Sequence, residues 1–112
     1  MEIVEDQPQA FTVEAPEEIP AEFIEILQPQ VVEEGHPVKF TCKVVGSPIP
    51  SVSWYKNSIE IEPNPDFHPY YDSDTGICTL DISEVFMDDS GEFLCRAVNP
   101  FGETTTSATL VV

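Results

Sequence analysis

Three cysteines, Cys42, Cys78 and Cys95, and two histidines, His36 and His68, are the side chains best suited to nucleophilic, redox or metal chemistry in this 112-residue chain. Cysteine-based zinc sites usually carry a close C-x-x-C pair, and these three lie far apart in sequence. Neither histidine stands at a recognisable spacing from a serine or cysteine nucleophile, and His36 precedes Pro37 at the entrance to an alternating run. The stretch Asp72-Ser73-Asp74-Thr75-Gly76 begins like a calcium loop. Its glycine falls one place early, however, and no glutamate closes it, the nearest acidic residues being Asp81 and Glu84. It reads instead as a hairpin turn with Asx character. The run from Gly46 to Ser51 cannot cradle a phosphate, because Pro48 and Pro50 each remove an N–H donor. The expectation is a non-catalytic chain with no metal site and no cofactor, whose cysteines are small core residues, a disulfide pair with one left over, or redox thiols.

Charge narrows the partners. Twenty-one acidic residues face four Lys and Arg, a net charge of −17, and the first basic residue is Lys39. Such a field repels phosphate backbones and anionic lipid, so neither nucleic acid nor a membrane is an expected partner, and a charged partner should present a basic surface. No apolar run approaches the roughly 20 residues needed to span a bilayer. The opening MEIVEDQPQA carries three acidic residues and lacks both the positive start and the apolar centre of a secretory signal. None of Asn57, Asn64 and Asn99 begins an N-x-S/T acceptor. With too few cysteines for a disulfide-dense scaffold, the chain is expected in a reducing cytoplasm.

The elements that must position these residues are strands. Residues 1–20 hold six acidic residues and three prolines without sustained periodicity, and read as a linker or arm; residues 21–112 read as one domain. From residue 22 short alternating runs are punctuated by Gly, Pro, Asn and Asp every eight to twelve residues, an all-β pattern. Strands are predicted at 22–27, 30–34, 37–45, 51–57, 66–72, 76–82, 91–98 and 103–111, with a short one near 59–61 and a single helical turn at 87–91. Period-two parity puts Val38, Phe40, Cys42 and Val44 on one face, with Cys78, Leu80 and Ile82, and Phe93, Cys95 and Ala97, likewise grouped. All three cysteines therefore point inward.

Cys42, then Trp54 twelve residues later, then Cys95 preceded by Asp89-Ser90-Gly91, is an arrangement that resembles an immunoglobulin sandwich. The stretches EEGHPVKFTCKVVGSPIPSVSWYKN and CTLDISEVFMDDSGEFLCRAVNPFGE resemble the intermediate-set domains of the titin, palladin and myosin light-chain kinase group, titin most of all. That resemblance implies two packed sheets with Greek-key connections and a core of Cys42, Trp54, Leu80, Phe93 and Cys95. It also implies a segment at 30–34 pairing in parallel with the terminal strand around 104–110, so that tension on the chain ends would load those bonds in shear. A force-bearing, spacer or docking module follows, flanked by immunoglobulin or fibronectin-type domains, with Ile49 and Phe101 as candidate loop contacts for a sarcomeric or cytoskeletal partner. The alternative is an extracellular adhesion or receptor domain with a Cys42–Cys95 disulfide. One departure stands out: Phe93 occupies the place where such domains usually carry the corner tyrosine, so the tyrosine's hydrogen bond, worth on the order of 1 kcal/mol, is expected to be missing.

Overall fold

A computed structural model describes residues 17–112 of the chain. The acidic arm expected over 1–20 therefore falls, up to residue 16, outside the described residues. Nine strands follow: β1 (Ile19–Glu25), β2 (Gln30–Val31), β3 (Val38–Ser47), β4 (Ser51–Lys56), β5 (Ile59–Glu60), β6 (Phe67–Asp72), β7 (Ile77–Ile82), β8 (Gly91–Asn99) and β9 (Gly102–Val111). They form two sheets, one in the order β1-β3-β7-β6 and the other β2-β9-β8-β4-β5. A 3-10 turn at Met87–Asp89 connects β7 to β8 across the sandwich.

Alternation dictates what lies between the sheets. In β3, Val38, Phe40, Cys42 and Val44 are buried; β7 adds Cys78, Leu80 and Ile82, β8 adds Phe93, Cys95 and Ala97, and β9 adds Ala108 and Leu110. Trp54 supplies the bulk from β4, with Val85 closing the lower end. Each of these side chains withdraws apolar area from water at about 25 cal/mol per Å2, which is why the inward parity holds along every long strand.

The first two strands depart from the expected boundaries. The strand predicted at 22–27 runs instead from Ile19 to Glu25. Leu27 leaves the ladder because its side chain drops into the core, and its N–H is taken by Thr106 Oγ1 at 3.1 Å. The strand predicted at 30–34 shrinks to Gln30–Val31, which pairs in parallel with Leu110 and Val111. One further bond, Val32 N–H to Val111 O at 2.9 Å, extends it before a turn centred on Gly35 (φ 90°). The parallel pairing thus engages only the last residues of β9.

Both edges of the four-stranded sheet carry a proline, Pro20 in β1 and Pro69 in β6. Edge strands tolerate this residue because a missing N–H there need not break a ladder.

Candidate functional site

The three cysteines meet at the centre of the sandwich. Cys42 of β3 pairs with Cys78 of β7, while Cys95 of β8 comes from the facing sheet, beside Trp54 of β4. All three Sγ atoms lie within 4.8 Å of one another, none is exposed, and no S–S bond joins any two of them. Cys42 is pushed up to about 12, first by its hydrogen bond with Cys78 and then by burial, while Cys95 pulls the other way. Cys95 is raised by its hydrogen bonds with Cys42 and Cys78 and by burial. The same two bonds draw Cys78 down against its burial. Its Sγ nevertheless donates to the carbonyl of Gly76 at 3.5 Å, an oxygen that a thiolate would repel. The cluster therefore rests as three protonated thiols. Since the thiolate is the nucleophile and the metal ligand, it is inert while the core stays closed.

The corner is rebuilt in aromatic packing. Phe93 is fully buried and stacks on Phe40 with ring centroids 5.0 Å apart, and Phe67 stacks on its other side at 6.4 Å. Side-chain hydrogen bonds hold the turn that precedes β8. Asp89 Oδ2 accepts the Phe86 N–H at 2.7 Å, Lys56 Nζ donates to Asp88 O at 2.7 Å, and Ser90 Oγ accepts the Val112 N–H at 2.9 Å.

A third cluster sits at the pole where β1 begins and β8 turns into β9. Asn99, only 8% exposed, accepts from Ala21 N–H at 3.3 Å and Phe101 N–H at 3.0 Å through Oδ1. Its Nδ2 donates to Ile19 O at 2.7 Å and Pro48 O at 3.1 Å. One amide therefore ties the entering strand to both loops of that pole. Gly46 and Gly102 make room for it, since a Cβ at Gly46 would meet Pro50 at 2.8 Å and Asn99 Nδ2 at 3.0 Å, and one at Gly102 would meet Pro20 at 2.9 Å. In the sequence Asn99 reads only as punctuation before Pro100; the signal for more is its parity, shared with Cys95 and Ala97, which turns a polar side chain inward. Ile49 and Phe101, expected as loop contacts, are 63% and 43% exposed and flank this amide. They form no cluster with the thiols.

The histidines stand apart from all of these. His36 Nδ1 lies 3.3 Å from Glu33 O in its turn, and His68 Nε2 lies 2.8 Å from Pro65 O on β6. Asp72 to Gly76 forms a turn in which Asp72 Oδ1 accepts the Asp74 N–H at 2.9 Å and Gly76 N–H returns to Asp72 O at 2.7 Å. No helix among the described residues is long and apolar enough to cross a membrane.

Comparison with known proteins places this geometry. The family model described as Immunoglobulin I-set domain matches residues 21–112. Titin of Drosophila melanogaster is 39% identical over 109 residues, covering 96% of this chain and 1% of that protein. Telokin of Meleagris gallopavo is 40% identical over 106 residues, covering 92% of this chain and 68% of telokin. The crystal structure of the titin domains z1z2 in complex with telethonin superposes with a TM-score of 0.81 at 32% identity, over 86% of this chain and 48% of that one.

Proposed function

The chain belongs to the immunoglobulin I-set family, and on that premise we propose that it is a non-catalytic, force-bearing or spacer module of a titin-like muscle or cytoskeletal protein. It would work in the cytoplasm, at the sarcomere or actin cytoskeleton, between neighbouring immunoglobulin or fibronectin-type domains. The observation that carries the reading is the parallel pairing of Gln30 and Val31 with Leu110 and Val111. The chain enters at the Asn99 pole and reaches Val112 at the other, so tension between the ends pulls these strands past each other and strains their bonds together. Thr106 Oγ1, bonded to Leu27 N–H, adds a side-chain tie across the same interface.

Single-molecule unfolding of the chain between handles at its two ends tests this. A distinct force-resisting event is expected, and Val32→Pro, which removes the 2.9 Å bond to Val111 O, should speed unfolding at fixed force. A bond worth about 1 kcal/mol corresponds to roughly a fivefold change in rate. A variant that resists force as well as the parent would move the mechanical role away from this pair.

A second role is supported by Ile49 and Phe101, both exposed beside Asn99. Together they suit a docking surface for a sarcomeric or cytoskeletal protein with a basic face. The reading as an extracellular module with a Cys42–Cys95 disulfide is separated by intact mass after alkylation of the unfolded, unreduced chain from its native source. Three adducts support the cytoplasmic assignment, and a mass two protons short with one adduct overturns it.

A further inference from the structure

At the pole opposite Asn99, the short edge strand β5 and the start of β6 leave a groove of about 340 Å3 between the two sheets. Its apolar lining is Ile59, Ile61 and Phe67, and its charged rim is Glu60, Glu62 and Lys56. The floor is firm, because Phe67 stacks on the buried Phe93. One wall is held by Asn64, whose Oδ1 accepts the Asp66 and Phe67 N–H groups at 2.8 and 3.0 Å while its Nδ2 donates to Glu62 O at 3.0 Å. The other wall is the β4–β5 hairpin, turned by Asn57 and Ser58 at φ 49° and 70°. Two adjacent left-handed non-glycine residues fit only a primed hairpin turn, and this one leaves Ile59 73% exposed.

We propose that this groove docks a basic segment of another protein, with one apolar side chain seated on Ile61 and Phe67 and flanking lysines or arginines facing Glu60 and Glu62. Charge decides among occupants. A second copy of this chain, itself at a net −17 over its full length, is repelled as a whole, and anionic lipid or nucleic acid is repelled by the same field. Lys56 lowers the rim's negative charge without reversing it, because Glu60 and Glu62 outnumber it two to one. An apolar floor within an anionic rim selects an apolar anchor between cations over either feature alone, because burial supplies the affinity and charge supplies the orientation. The groove is at the opposite pole from Ile49 and Phe101, so this inference does not depend on their role.

The test titrates the 15N-labelled 112-residue chain with the synthetic peptide KKKLKKK, followed by amide shifts and calorimetry. Shifts should centre on residues 59–62 and 67, and replacing the peptide's leucine by serine should weaken binding about tenfold, as expected for losing the burial of one aliphatic side chain. In the protein, Ile59→Ser, whose parent side chain is mostly outside the core, should weaken binding several-fold while leaving the rest of the amide spectrum in place. The pair Glu60→Gln with Glu62→Gln should reduce both affinity and its salt dependence. Equal binding of the leucine and serine peptides, shifts spread over every acidic face, or full affinity in Ile59→Ser would overturn the proposal. So would equal binding of EEELEEE, or a concentration-dependent dimer that Ile59→Ser abolishes.

Discussion

Asn99 makes four bonds from one buried amide, and Asn99→Ala removes them all. Three of the partner groups, Ile19 O, Pro48 O and Phe101 N–H, belong to exposed residues and can exchange the amide for water. Each such loss costs about 0.5–1 kcal/mol. The fourth, Ala21 N–H, belongs to a residue only 6% exposed, and an orphaned buried donor costs about 1–3 kcal/mol. The sum is about 2.5–6 kcal/mol, which in urea denaturation of a domain this size lowers the midpoint by about 1 M or more without changing the slope.

Asn99→Asp separates the polar explanation from simple loss of volume. The introduced carboxylate still accepts from Ala21 and Phe101, but it turns a negative oxygen toward Ile19 O and Pro48 O in a buried site. Its folded pKa must therefore lie above the unfolded value of about 3.9. Stability is retained below about pH 4, where the carboxyl is protonated and can donate, and is lost as pH rises through the raised folded value. Urea midpoints of variant and parent, compared at pH 3.5 and pH 7, read this directly. A loss below about 1 kcal/mol in Asn99→Ala, or an Asn99→Asp variant as stable as the parent at pH 7, would refute this role for the amide.

Gly76→Ala should destabilise by well over 2 kcal/mol, since Gly76 sits at φ 83° and a Cβ there would collide with Val44 O; Gly35→Ala, at φ 90° with open space around it, should cost only about 1 kcal/mol. Thermal melts of the two variants side by side check the contrast. Phe93→Ala, which opens a hole between Phe40 and Phe67, should cost about 3–5 kcal/mol in the same melts. With Cys42 pushed up to about 12 and all three thiols buried, iodoacetamide at pH 8 should label none of them in the folded chain and all three in urea, as counted by mass. Labelling of the folded chain within minutes would show that the core opens far more readily than its packing indicates.

Strand parity made the core legible, because Val38, Phe40, Cys42 and Val44 alternate with polar residues and the same period recurs in β7, β8 and β9. The cysteines' inward direction followed from that parity, yet their convergence did not. It needs the register in which Cys42 faces Cys78 across β3 and β7 and the depth at which the second sheet packs, and neither is written in local pattern. The ends of β1 and β2 were missed for a related reason. They are set by long-range ties, Asn99 to Ile19 and Thr106 to Leu27, joining residues about eighty positions apart. Ile49 and Phe101 were readable as apolar residues in turns, whereas the β5–β6 groove depends on the left-handed pair Asn57-Ser58, which sequence suggests only weakly.

Pro20 and Pro69 bear on how such domains could coexist in a tandem chain. Neighbours on one polypeptide meet at millimolar local concentration, where an open strand edge readily recruits another and seeds cross-β assembly. Each outer strand of the β1-β3-β7-β6 sheet has one position that can never donate a backbone hydrogen, so a foreign strand laid along either edge would find its ladder interrupted. A crowded array of these domains would thereby refold each unit onto itself rather than onto its neighbour.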